Sequence, residues 1–218
     1  MKNIEYAIYD LDLDEEEIKS KILDAKSLNV NCISVPYFYT KLVRLLVKDT
    51  NILVSSAIDY PYGITDTKTR NEAIKNAIAN GVQKIEIVIQ NNLLSNRKYD
   101  KIRNDIKTNI EICGEHNIPI IYHLEYRIFT HHSLIKACDI MQEFGIKSIY
   151  PSTGNMIDNI DDNIIASILL KEKTGINTIF TGNIWTKNHI EKLNKYKIDQ
   201  IRTNTLNGVR LFNEFSVQ

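Results

Sequence analysis

Short runs of β-branched and aromatic residues alternate along this chain with longer stretches in which apolar residues recur every three or four positions. The first pattern suits strands of a buried sheet and the second suits amphipathic helices, so their alternation predicts parallel strands joined by crossover helices. The predicted strands are YAIYDLD (6–12), CISVP (32–36), ILVSSAI (52–58), KIEIVIQ (84–90), PIIYHLE (119–125), SIYPS (148–152), NTIFTGN (177–183) and QIRTNT (200–205). Between them lie helical patterns such as DEEEIKSKILDAKSLN, NEAIKNAIANG, HHSLIKACDIMQEFG and TKNHIEKLNKYK, and NGVRLFNEF follows the last strand. Eight strand–helix pairs with no long unassigned gap is the count of a closed (β/α)8 barrel, an α/β fold taking residues 1–218 as one domain. An open doubly wound sheet is the alternative.

Glycine placement fits the barrel. Gly81, Gly145 and Gly175 each end a helical pattern shortly before a strand, whereas Gly63, Gly154, Gly182 and Gly208 follow strands. In a barrel the first set lies at the stabilising end and the second in the loops of the catalytic end.

Composition narrows the function. The 218 residues carry 27 basic and 27 acidic side chains, which removes a general electrostatic case for nucleic acid or an anionic membrane as partner. Cys32, Cys113 and Cys138 lack metal-type spacing and sit in apolar periodic segments, reading as reduced core residues. The N-terminus turns acidic at once, unlike a signal peptide, and the longest apolar run, Ile164 to Leu170, is too short to span a bilayer. A soluble cytoplasmic chain is expected, with no cofactor and no metal.

Catalytic groups of such a barrel sit at C-terminal strand ends and in the loops that follow. Glu86 interrupts an apolar strand and so needs a partner; a salt bridge inside the barrel, for example with Lys84, is one reason for it. His123 and Glu125 lie two residues apart on the next strand and share a face. If that face is inward, Glu86, His123 and Glu125 converge, and an imidazole between carboxylates is a natural proton relay. A satisfied buried network without chemistry is the alternative, and the trio is a weak ligand set for a divalent ion. Asp59 adds a carboxylate at the end of the third strand. Thr181, Gly182 and Asn183, with Thr203, Asn204 and Thr205, form hydroxyl- and amide-rich turns before helices, suited to cradling an anion. Thr186 and Asn207 alternatively serve as helix caps.

Several stretches together resemble the deoxyribose-phosphate aldolases. YPYGITDTKTRNEA resembles that family's Phe-Pro-x-Gly loop, and KIEIVIQNNLL resembles its Glu-Ile-Asp-Met-Val-Ile-Asn strand. From Glu125 through SLIKACDIMQEFGIKSIYPSTG the match runs without a gap, and TGNIWT and IRTNTLNGV resemble its two phosphate loops. The resemblance implies a barrel that makes or breaks a carbon–carbon bond between acetaldehyde and a phosphorylated aldehyde, through a Schiff base on lysine. Here the family's Lys-Thr-Ser-Thr-Gly has become Tyr150-Pro151-Ser152-Thr153-Gly154, two further family lysines fall at Ile121 and Ile179, and its aspartate falls at Glu86. A phenol cannot form an imine. Lys84 and Lys147 begin strands and are expected at the wrong end, while Lys68, beside the mouth, is the one lysine placed to substitute. The last phosphate loop has Asn204 for glycine, and Trp185 stands for an arginine, which leaves room for a flatter substrate.

The expected activity is therefore a diverged lyase or isomerase acting on a small, phosphorylated carbonyl compound by acid–base chemistry. Tyr150, Glu86, His123, Glu125 and Asp59 are its expected catalytic residues, and Ser152 and Thr153 join the turn residues above in holding substrate or phosphate. The alternative is a catalytically inactive barrel that binds a sugar phosphate or a protein partner. Self-association of the chain is left open.

Overall fold

The structure, a computed structural model, describes residues 3–10, 12–156 and 159–216, so Leu11 of the first expected strand and the ends of the expected 1–218 domain lie outside it. The β-branched runs form parallel strands: β1 (Asn3–Ala7), β2 (Cys32–Ser34), β3 (Leu53–Ile58), β4 (Lys84–Val88), β5 (Ile120–His123), β6 (Ser148–Tyr150), β7 (Asn177–Thr178), β8 (Phe180–Thr181) and β9 (Gln200–Thr203). Their order is β7-β6-β5-β4-β3-β2-β1-β9-β8. The run expected as a seventh strand changes partner at Ile179: its first half pairs with β6 and its second with β9. That switch carries the ring around, giving the (β/α)8 barrel expected from the pattern. Most strands stop two residues short of the apolar runs, because the last residues of each run turn into the mouth loops, and β1 starts three residues before its expected run and stops at Ala7.

The helices are α1 (Glu15–Ser27), α2 (Thr40–Leu46), α3 (Thr67–Ala79), α4 (Asn91–Ser95), α5 (Tyr99–Gly114), α6 (His131–Glu143), α7 (Ile160–Thr174), α8 (Lys187–Lys195) and α9 (Leu206–Phe215). Local chemistry starts them. Asp14 caps α1 in a reciprocal box with Glu17, and Asp66, Thr130, Thr186 and Thr205 accept from the third helical amide of α3, α6, α8 and α9. Of the two proposed caps, Thr186 is one, whereas Asn207 lies inside α9 and Thr205 does its work.

Strand period two then sorts the side chains. Ile4 and Tyr6, Ile33, Val54, Ile85 and Ile87, Tyr122, Ile149, Phe180 and Ile201 enter two apolar shells between strands and helices. The alternate residues face the barrel interior, where the clustered apolar content shrinks to Ile121, Tyr150 and Ile179. Glu5, Ser34, Ser55, Glu86, His123 and Arg202 make much of the rest polar.

Candidate active site at the barrel mouth

Four strands each contribute ionisable side chains to that centre: Glu5 from β1, Lys84 and Glu86 from β4, His123 from β5 and Arg202 from β9. Glu86 is fully buried. Its Oε2 accepts from Arg202 Nε at 2.9 Å and faces His123 Nε2 at 3.1 Å, and its Oε1 accepts from the Ser55 hydroxyl at 2.5 Å. Lys84 Nζ lies 3.8 Å from the same Oε1. The bridge to Lys84 expected for Glu86 is thus present but secondary to Arg202. Burial alone would raise the Glu86 carboxyl, yet Arg202, His123 and Lys84 outweigh it and hold the group well below the usual carboxylate range.

His123 makes a two-sided contact. Nδ1 faces the Ser152 carbonyl at 3.2 Å while Nε2 faces Glu86. Both neighbours are acceptors, so a neutral ring donates to only one of them and a protonated ring would satisfy both. Burial nevertheless lowers the imidazole below its ordinary value, against the pull of Glu86. The pair is therefore one proton short of its best hydrogen bonding, while burial keeps the ring neutral.

Tyr150 lies beneath them, its ring stacked on His123 at 4.4 Å between centroids. Its hydroxyl donates to Glu5 Oε2 and accepts from Lys84 Nζ at 2.8 Å, and Lys84 also pairs with Glu5 at 2.8 Å. Lys84 does start its strand at the N-terminal end, as expected, but its long side chain runs up the interior to the phenol. Burial and Glu5 together push the Tyr150 hydroxyl well above the ordinary tyrosine value, so it is a donor and not a phenolate at neutral pH.

The remaining nominated residues separate from this group. Glu125 lies beyond the end of β5 and accepts from the Thr153 amide at 3.2 Å and hydroxyl at 2.8 Å, bordering the network and bracing the turn. Asp59 joins a different cluster: it accepts from the Thr65 amide at 3.0 Å and lies 3.7 Å from buried Arg70, whose other carboxylate neighbour is Asp105. Its backbone sits at φ 58, which aims the carboxylate at that arginine. Lys68 is exposed on α3, away from the interior contacts.

The expected phosphate residues are brought side by side by the β8–β9 pairing, and their hydroxyls are engaged locally. Ser152 Oγ accepts from Gly154 N at 3.0 Å, Thr181 Oγ1 donates to Ile179 O at 3.2 Å, and Thr203 and Thr205 hydroxyls meet at 3.3 Å. Gly182 N donates to Arg202 O at 3.1 Å. Thr205 Oγ1 donates to Ile184 O at 2.9 Å and accepts from Gly208 N at 3.1 Å. A side chain at Gly208 would collide with Thr205 Oγ1 and Ile184, so the two loops touch only because that position is glycine. The buried amide oxygens of Asn183 and Asn204 have no hydrogen-bond partner.

Sequence reasoning missed Arg202, Glu5, Tyr9 and Tyr60. Tyr60 and Tyr9 roof the network: the Arg202 guanidinium carbon lies 5.6 Å from the Tyr60 ring, 5.8 Å from Tyr9 and 5.7 Å from Tyr150. Tyr60 donates to the Thr153 carbonyl at 3.1 Å, which also faces Arg202 Nη1 at 3.4 Å. Arg202 Nη2 is buried without a hydrogen-bond partner. The available signal was a lone ionised residue at an alternate position of a short strand, which applies to Glu5 and Arg202 as it does to Glu86. Among the described residues no group of three or more His, Cys, Asp or Glu is placed to hold a metal ion. Nor, among them, is any helix long and apolar enough to cross a membrane.

No protein-family model matches the chain. Among characterised proteins it is similar to a deoxyribose-phosphate aldolase of Staphylococcus epidermidis, 29% identical over 153 residues covering 70% of this chain and 69% of that one. A deoxyribose-phosphate aldolase of Mycoplasmopsis pulmonis is 24% identical over 210 residues, 96% of this chain and 94% of the relative. Of solved structures, the aldolase QR15 superposes with a TM-score of 0.82 at 20% identity, covering 97% and 93% of the two chains. The deoxyribose-phosphate aldolase of Aeropyrum pernix, described as tetrameric, superposes with a TM-score of 0.84 at 14% identity, covering 98% and 90%. The barrel, the order of the matched loops and these relatives agree in making the chain similar, over most of its length, to deoxyribose-phosphate aldolases.

Proposed function

We propose that this protein is an aldolase-type lyase acting on a small, phosphorylated carbonyl compound, and that it works by proton transfer and hydrogen bonding without a covalent imine. One observation carries the reading. The position matching the family's Schiff-base lysine holds Tyr150, and the nearest amine, Lys84, is consumed by Tyr150 and Glu5. Burial opposes its charge, but the surrounding anionic groups, Glu5 and Glu86 among them, hold its ammonium well above the ordinary lysine value. A protonated amine is not a nucleophile.

A retro-aldol cleavage needs a base for the substrate hydroxyl, a sink for the electron pair of the breaking carbon–carbon bond, and a proton for the released carbon. The unpartnered Arg202 Nη2 supports a role as the sink, taking the carbonyl oxygen as it becomes an enolate oxyanion. His123, held neutral by burial and backed by Glu86, takes the hydroxyl proton and returns it to the enolate carbon. Tyr60 must swing aside for substrate to arrive, since it covers both groups. The Asn183 and Asn204 turns suit the phosphate end, either amide being able to present its NH2 after a flip.

The test is turnover of 2-deoxyribose 5-phosphate and related sugar phosphates, with released aldehyde measured by a coupled assay and borohydride trapping run in parallel. Turnover without a trapped adduct, abolished in Arg202→Met and His123→Gln, supports the reading. A lysine adduct on intact protein would sink it. The complete burial of Glu86 and His123 favours a second reading, a barrel that binds a sugar phosphate without turning it over; saturable binding with no cleavage of any offered compound would select it.

A further inference from the structure

Beside the mouth, loops from β1, β2 and β3 enclose a cleft of about 670 Å³ walled by Tyr9, Tyr37, Phe38, Tyr39, Tyr60 and Tyr62. Resting on the carbonyl chemistry proposed beneath Tyr60, we infer that the substrate carries a planar, uncharged aromatic or heteroaromatic ring, and that this cleft holds the ring.

The walls other than Tyr60 are preassembled. Tyr37, Phe38 and Tyr39 occupy a single helical turn leading directly into α2, with ring centroids 5.8 Å and 4.6 Å apart. Tyr9 and Tyr60 meet at 4.6 Å. Such faces select flat partners, because offset stacking and edge contacts reward planarity beyond simple burial. Phe38 and Tyr62 are 62% and 65% exposed, so large aromatic surface stands in water until something covers it.

Charge decides the class of ring. The cleft's carboxylates are already paired, Asp10 with Lys21 at 2.7 Å and Asp59 with Arg70 at 3.7 Å, and no lysine or arginine lines it. A phosphate would find no counter-charge there, and a cationic ring would find none to spare. Thr65 and Asn155 supply polar edges for ring heteroatoms. Tyr9 and Tyr60 form the partition between the cleft and Arg202, so the swing of Tyr60 that admits substrate opens one space to the other and lets a single molecule place its ring in the cleft and its carbonyl at Arg202. The volume lies in the range of sites for drug-sized ligands, far larger than a small aldehyde needs.

Three ketones test this on the full chain: 2-butanone, 4-phenyl-2-butanone and 4-cyclohexyl-2-butanone, with affinities read from chemical shifts of ring-labelled tyrosines. The phenyl ketone is expected to bind at least tenfold tighter than 2-butanone and several-fold tighter than the cyclohexyl ketone. Phe38→Ala and Tyr62→Ala, at exposed positions that leave the fold unburdened, should each remove most of that gain. Equal affinity of the phenyl and cyclohexyl ketones would overturn the inference by making the cleft a plain greasy groove. So would light scattering in which the intact chain is a dimer that Phe38→Ala dissociates, because the aromatics would then be covered by a second copy. Affinity is read without turnover. Ring preference without cleavage would therefore count against the catalytic reading alone, and cleavage without ring preference against this one alone.

Discussion

Glu86 and Arg202 are 116 residues apart in the chain, and their side chains meet at 2.9 Å in the centre of the barrel. The contact requires β9 to lie beside β1 and β4 to stand across from both, so it exists only once the ring has closed. It sets the electrostatics of the whole interior: two carboxylates, Glu5 and Glu86, balance two cations, Lys84 and Arg202, with His123 neutral between them.

Breaking that pair from one side leaves a charge buried without compensation. Arg202→Met is expected to cost about 3–5 kcal/mol of unfolding free energy, measured by urea denaturation. Adding Glu86→Gln should recover a large part, because the orphaned charge goes too. If the single change costs under about 1 kcal/mol, the pair is screened as surface ion pairs are, and the closed interior described above is wrong.

Acid should weaken the fold in two stages. The His123 imidazole is lowered in the folded barrel, so as pH falls below the ordinary histidine value of about 6.5 the unfolded chain takes up a proton first and stability begins to drop. Glu86 is held well below the carboxylate range; its contribution stands above about pH 4.3, the unfolded value, and is lost as pH falls towards the folded one. Unfolding free energies between pH 7.5 and 3.5 check this. His123→Gln should flatten the upper stage and leave the lower; an unchanged upper stage would assign it to other histidines.

Tyr60 roofs Arg202 and meets the His123 ring edge-on at 6.0 Å between centroids. Since burial is the largest cause of the low imidazole value, Tyr60→Ala should admit water and move His123 upward. Nitrogen-15 NMR titration of the ring reads this directly. A downward shift, or none, would mean that Tyr60 does not seal the site.

Tyr150→Lys places an amine at the position where the resemblance implies one. With Glu5 also changed to Gln, removing the carboxylate that would hold the new amine as an ammonium while Lys84 stays as the cation that favours its neutral form, acetaldehyde and borohydride should leave one ethyl group on residue 150, located by peptide mass. The unmodified chain should take none. An adduct on Lys84 or Lys68 of the unmodified chain would show that the imine has moved to another strand instead of being lost.

What the sequence determined by itself was local and periodic. Eight β-branched runs with capped helices between them made the barrel legible, and strand parity put Glu86 and His123 on the same inward face. The resemblance that singles out Tyr150 needed only the SIYPSTG match. What the tertiary structure decided was partnership. Glu5, Lys84 and Arg202 come from strands that ring closure brings to face one another, and no local pattern states which ionised residue will face which. Asp59 shows the converse: a carboxylate at a strand end looked catalytic, but a left-handed backbone and the buried Arg70 drew it into another cluster. Alternation along a strand is encoded in neighbouring residues, whereas the burial that lowers His123 and the roof that Tyr60 lays over Arg202 arise only when segments far apart in the chain pack together.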